Sequence, residues 1–258
     1  MENSIKKKLK EGKAVVGTSV GRSDPWITEL FSEIGYDWLL IDAEHGALDY
    51  STIMSMLQSC KGTNCTPIVR VQNDDPSIIK RVLDAGAHGV VVPLCNTAED
   101  AKRIVEACKY PPEGIRGFGP RRGDIGNWID YFNTANEEIF VAVQLETIEA
   151  VNNAEEIMSV KGIDACIIGP VDLSVSMNLG IPPKWDDPTF IEAIDRISLA
   201  SNKTGVPCGG FFPSDKIEWA VKEKGFTFNA VDDADIFLIN GATSALKKAR
   251  NAMSKQYN

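Results

Sequence analysis

The stretch Tyr36-Asp37-Trp38-Leu39-Leu40-Ile41-Asp42-Ala43-Glu44-His45-Gly46 decides how the chain is read. Its apolar run, Trp38 to Ile41, has the length and composition of a strand buried on both faces, as in a parallel sheet. The run breaks at once into Asp42, Glu44 and His45 and is closed by Gly46. Two acids and an imidazole at one sheet edge cost stability unless those groups are used. His45 is one of only two histidines, so acid–base chemistry near neutral pH has few other candidates.

Outward from this stretch, β-branched runs alternate with amphipathic ones along all 258 residues. The pattern predicts strands near 15–18, 38–42, 67–70, 89–93, 140–146, 165–168, 206–209 and 228–231. Helical spacing falls near 26–34, 51–60, 76–85, 98–108, 150–158, 189–203, 216–224 and 236–252. Pro25, Pro76 and Pro188 sit where a first helical turn tolerates proline, and Asp75 and Ser214 are suited to cap. About eight strand-then-helix units is the arithmetic of a (β/α)8 TIM barrel in the α/β class. Residues 1–258 are expected to form one barrel domain, since no composition shift marks a linker. A doubly wound open sheet is the rival topology.

Lys and Arg number 27 against 36 Asp and Glu, and the net charge of −9 is scattered. Such a chain is a poor candidate for nucleic acid or an anionic membrane. No apolar run approaches the ~20 residues of a membrane span. Residues 1–8 are basic without the apolar segment of a signal peptide, and read as a frayed end or a first surface helix. The six cysteines show no C-x-x-C pair, which points to free thiols and a cytoplasmic, reducing setting. Two long connections, residues 110–136 and 169–187, are expected to leave the sheet edge where barrel active sites form, as lid or binding loops.

Polar residues just after strands are the candidates for chemistry. Besides Asp42, Glu44 and His45, these are Arg70, Gln144 with Glu146 in phase, and Asp172 after Gly169-Pro170-Val171. Glu146 and Asp172 supply two oxygen ligands, a set that leaves positions open for water and substrate. That suits Mg2+, with Mn2+ or Co2+ as substitutes. Read singly, either carboxylate is a cap or a surface ion pair. Asp42 is expected to orient His45 as a base. Arg70 either grips a carboxylate or oxyanion in its fork or pairs with Asp42 or Glu44. His88 precedes a strand, at the face given to stability, and receives no role. None of the lysines falls within or just after a predicted strand, which disfavours a Schiff base, and Cys95 reads as structural. Gly205-Val206-Pro207-Cys208-Gly209-Gly210 lacks a basic neighbour for a phosphate, and Gly114-Ile115-Arg116-Gly117-Phe118-Gly119 has no preceding strand for a nucleotide fingerprint.

Asp42-Ala43-Glu44-His45, Pro67-Ile68-Val69-Arg70-Val71, Ala85-Gly86-Ala87-His88-Gly89-Val90, Tyr110-Pro111-Pro112-Glu113-Gly114-Ile115-Arg116-Gly117, Gln144-Leu145-Glu146-Thr147 and Gly169-Pro170-Val171-Asp172-Leu173-Ser174 resemble the metal-dependent (class II) pyruvate aldolases. That family includes 4-hydroxy-2-oxoheptanedioate and 2-dehydro-3-deoxyglucarate aldolases. The resemblance implies an aldehyde-lyase of aromatic or sugar-acid catabolism that splits a 4-hydroxy-2-oxo acid into pyruvate and an aldehyde. It further implies Glu146 and Asp172 as metal ligands and His45 with Asp42 as the base system. Arg70 would be the partner of the pyruvate carboxylate and enolate, and Gln144 and Glu44 would shape the metal-bound water. The backbone at Gly169, Pro170 and Val171 would hold the substrate carboxylate. A homo-oligomer is implied too, a hexamer built as a trimer of dimers that swap the last helix. Gly210-Phe211-Phe212-Pro213 and Val231-Asp232-Asp233 depart from the pattern, as does the absence of a tryptophan in Ser19-Val20-Gly21-Arg22. Rivals are a phosphoenolpyruvate-using transferase or mutase, a lyase of coenzyme A thioesters, and a non-catalytic barrel that binds small acids.

Overall fold

The computed structural model describes residues 2–122 and 126–254. Its strands are β1 (Val15–Val20), β2 (Trp38–Asp42), β3 (Thr66–Arg70), β4 (Gly89–Val92), β5 (Phe140–Leu145), β6 (Ala165–Ile168), β7 (Cys208–Phe212) and β8 (Phe228–Asp233). Each pairs in parallel with the next and β8 returns to β1, so among the described residues eight strands close a barrel. That closure excludes the open sheet. Around it run α1 (Ser4–Lys10), α2 (Pro25–Ile34), α3 (Tyr50–Ser59), α4 (Pro76–Asp84), α5 (Ala98–Cys108) and α6 (Trp128–Glu138). They are followed by α7 (Ile148–Asn152), α8 (Ala154–Met158), α9 (Pro170–Ser176), α10 (Pro188–Thr204), α11 (Ile217–Lys222) and α12 (Ala234–Ser254).

The two-residue period of a strand sorts the apolar side chains into two cores. Trp38, Leu40, Ile68, Val91, Phe140, Ala142, Ile167 and Phe228 fill the barrel, whereas Leu39, Ile41, Val69, Val90, Val141, Cys166 and Ile168 face the helices. Asp24, Asp75 and Asp187 accept a first-turn N–H of α2, α4 and α10 directly before the prolines at their starts. Each such cap stabilises its helix by about 1 kcal/mol. Helix α1 is not the frayed end or surface helix expected of residues 1–8. Its Ile5 and Leu9 belong to the inner core, so it plugs the barrel at the end where the strands begin.

The connection 110–136, of which 123–125 lie outside the described residues, is not a lid. Helix α5 leaves the end of β4 and carries the chain back to the opposite face before Tyr110 is reached. There the N–H groups of Arg121 and Arg122 donate to the Asp84 carbonyl at the end of α4. The Asn136 amide brackets the Tyr110 backbone, and α6 then leads into β5. The connection 169–187 does start at the strand ends, and its first part folds as α9.

Candidate active site

The C-terminal strand ends place Asp42 and Arg70 side by side, since β2 and β3 pair them in register. Asp42 is buried, and its Oδ1 and Oδ2 accept from Arg70 Nε at 2.9 Å and Nη2 at 2.8 Å. Burial alone would push the Asp42 carboxyl up. The Arg70 hydrogen bonds and charge, with the His45 and Glu44 backbone N–H groups, outweigh it and hold the carboxyl below its ordinary value. Arg70 Nη1 donates to Gln144 Oε1 at 3.3 Å. A guanidinium has five donors, so these three bonds leave two N–H groups, one on each Nη, unengaged among the described residues.

The turn after β2 folds back because Gly46 has no side chain: a Cβ there would run into the carbonyls of Asp42 and Gly21. That turn brings Glu44 over Arg70. Glu44 Oε2 lies 3.2 Å from Arg70 Nε and 3.6 Å from His45 Nε2, is buried, and has no aligned hydrogen bond. Burial pushes the Glu44 carboxyl up; Arg70 opposes this and Glu146 adds to it. The expected contact of Asp42 with the His45 imidazole does not form. Both Asp42 oxygens are taken by Arg70, and Asp42 meets His45 only through the latter's backbone N–H, at 3.4 Å. The imidazole is 67% exposed and faces Glu44 instead.

Across the mouth, Glu146 follows β5 and is buried. Its Oε1 accepts from the Leu94 N–H at 2.8 Å and its Oε2 from the Gln144 amide. Gly169 provides the space, because a Cβ there would lie 2.8 Å from both Gln144 Nε2 and Glu146 Oε2. Asp172 stands in the first turn of α9, near enough for its charge to act on Glu146. Burial is the main influence raising the Glu146 carboxyl, and Asp172 adds to it against the Leu94 and Gln144 hydrogen bonds. Among the described residues no group of three or more His, Cys, Asp or Glu is arranged to hold a metal.

Leu94 escaped the sequence reading. It donates from a left-handed backbone (φ 54°), a conformation that costs a non-glycine residue about 1–3 kcal/mol, and a main-chain N–H has no signature in residue type. His88 lies at the far face, where burial pushes it down to about 4, and all six cysteines are buried and free, with Cys95 pushed up to about 12.

A closed (β/α)8 barrel that gathers acids, an arginine and a histidine at its C-terminal mouth has the architecture of a barrel enzyme. Residues 18–234 match the HpcH/HpaI aldolase/citrate lyase family, and the chain belongs to it; the protein is a carbon–carbon lyase. An Escherichia coli protein named 4-hydroxy-2-oxo-heptane-1,7-dioate aldolase is 36% identical over 249 residues, covering 95% of this chain and 94% of that one. A hydroxypyruvate/pyruvate aldolase of Roseovarius nubinhibens is 38% identical over 209 residues, covering 79% and 81%. The crystal structure of a family member from Burkholderia cenocepacia J2315 superposes with a TM-score of 0.91 at 30% identity, covering 96% of this chain and 99% of that one.

Proposed function

We propose that this protein is a divalent-metal-dependent aldolase that reversibly cleaves a 4-hydroxy-2-oxo acid into pyruvate and an aldehyde, one barrel spanning the chain carrying the activity. The observation that carries the reading is the meeting, in one barrel mouth, of an all-oxygen acidic pair with an arginine that keeps two N–H groups free. The aldolase names of the E. coli and Roseovarius relatives support the reaction type.

The residues fit a hard cation. Each Glu146 oxygen accepts one hydrogen bond and keeps a lone pair, and burial raises the Glu44 and Glu146 carboxyls, which an added cation would oppose. Glu146 and Asp172 would hold Mg2+, Mn2+ or Co2+, which when bound supplies Lewis-acid stabilisation of the charge that develops on the 2-oxo oxygen. The backbone at Gly169, Pro170 and Val171, where the first-turn N–H of Val171 has no partner within α9, would take the substrate carboxylate. Gln144 and Glu44 would shape the water around that cation. His45 accepts the C4 hydroxyl proton, with Glu44 rather than Asp42 as the neighbour of its imidazole. As the C3–C4 bond breaks, its electron pair enters the pyruvate enolate, whose oxygen accepts from Arg70. Protonation of C3 then gives pyruvate.

A cytoplasmic homo-oligomer belongs to the same reading, a hexamer of swapped dimers in which α12 crosses to a second subunit. Leu238, Ile239, Leu246 and Met253 lie exposed along α12, which supports that crossing. No described helix is long and apolar enough to cross a membrane. A panel of 4-hydroxy-2-oxo acids, assayed for pyruvate with lactate dehydrogenase, tests the function. Pyruvate release that chelator stops is the expected result; no turnover of any member, or turnover that chelator leaves unchanged, would overturn it.

A further inference from the structure

Gly209-Gly210-Phe211-Phe212 in β7 sets two phenyl rings on opposite faces of one strand. Phe212 points outward and is held by Trp185, Trp219 and Phe226, with which its ring makes contacts at 5.9, 6.2 and 6.0 Å between centroids. The two glycines permit this. A Cβ on Gly209 would strike the Phe228 carbonyl, and one on Gly210 would strike the Phe212 ring. With the outer ring locked, Phe211 is directed into the barrel, where it packs on the inner core and stays partly exposed at the mouth.

There the Arg70 guanidinium carbon lies over the Phe211 ring, 5.4 Å from its centroid. That is within the distance at which a ring face attracts a cation. Asp42 and Gln144 restrain Arg70 through hydrogen bonds, which fix its edges. The ring meets it from a different direction, across the barrel from β7.

We propose that Phe211 is a positioning residue for Arg70, holding the guanidinium plane so that its two free N–H groups converge on the oxyanion formed in carbon–carbon cleavage. The proposal rests on the aldolase reading. It differs from a merely structural role for the ring in what it predicts for kinetics. An interaction that matters as charge develops lowers kcat more than it raises KM.

The test compares Phe211→Leu and Phe211→Tyr with the native enzyme in pyruvate release, alongside melting of both variants. Leucine keeps an apolar side chain of similar bulk without a π face; tyrosine keeps the face. Phe211→Leu is expected to lower kcat about fivefold or more with KM within twofold, and Phe211→Tyr to restore most of the loss. A folded Phe211→Leu with native kcat, or a loss that tyrosine does not restore, would overturn the proposal while leaving the aldolase reading intact. Should the native protein release no pyruvate, the aldolase reading falls and melting decides the Phe211–Arg70 relation. Losses of melting temperature in Phe211→Leu and Arg70→Met that add in the double variant would overturn it; a double variant no worse than Arg70→Met would support it.

Discussion

The Asp42 carboxylate and the Arg70 guanidinium, neighbours in register on β2 and β3, are joined by two parallel hydrogen bonds of 2.9 and 2.8 Å at the barrel mouth. The pair is nearly sealed, with side-chain exposures of 11% for Arg70 and 9% for Asp42. Its fork geometry uses up the acid that could otherwise have turned the histidine. The division of labour at this site follows from that one contact.

Asp42→Asn should destabilise the protein by about 3 kcal/mol, because breaking a buried pair leaves a charge without its partner, softened here by Glu44 at 3.2 Å. The sign with pH follows from the lowered carboxyl of Asp42. A group with a depressed folded pKa contributes stability above its unfolded value, about 3.9 for Asp, and that contribution is lost as pH falls through the folded value. Denaturant melts of native and variant should therefore converge in acid. Curves that stay equally far apart below that range would contradict the assignment.

Arg70→Lys retains the charge but loses the fork and one of its two planes of contact. Turnover should drop about 100-fold, the cost typical of one lost oxyanion donor, with a smaller change in KM. Steady-state kinetics on whichever 2-oxo acid is cleaved fastest gives the answer. Native kcat in the lysine variant would remove Arg70 from the chemistry.

Gly169→Ala adds a methyl group 2.8 Å from Gln144 Nε2 and Glu146 Oε2, so the carboxylate and amide must shift. The φ at this residue is −92°, which alanine adopts without strain. Activity and metal affinity should fall at least tenfold (about 1.4 kcal/mol) in a protein that melts close to the native temperature. Unchanged metal affinity would show that the cradle is roomier than its contacts imply.

Metal binding should weaken on acidification earlier than for an ordinary glutamate, whose pKa is about 4.3. Burial and Asp172 raise the Glu146 carboxyl, and a ligand must be ionised, so protons compete with the cation at higher pH. Calorimetric titrations across a pH series would show the loss; an affinity flat down to pH of about 4.3 would argue against Glu146 as a ligand.

Strand existence was legible because buried parallel strands write short unbroken apolar runs, as in Trp38–Ile41, and Pro25, Pro76, Pro188 and Asp75 marked helix starts, whereas Ser214 caps no helix and opens a short 3-10 turn. The limits of β7 were not. Val206 and Pro207 read as strand, yet the strand runs from Cys208 to Phe212, since consecutive glycines look like a turn until the outer packing of Phe212 is known. Residues that pair across strands were the hardest to assign. Asp42 stands three positions from His45 and 28 from Arg70, so nearness in sequence suggested the histidine, while the parallel register brought the arginine. The connection 110–136 misled for a related reason: its polar and glycine-rich composition says loop, but only the direction of α5 says at which end of the barrel the loop lies.

Manganese titration of chelator-stripped protein, read by electron paramagnetic resonance of the free ion, tests the acidic pair most directly. One bound ion per chain is expected in the native protein, and none at the same concentrations when Glu146→Gln and Asp172→Asn are combined in a chain that still folds. Undiminished binding by that double variant would contradict it.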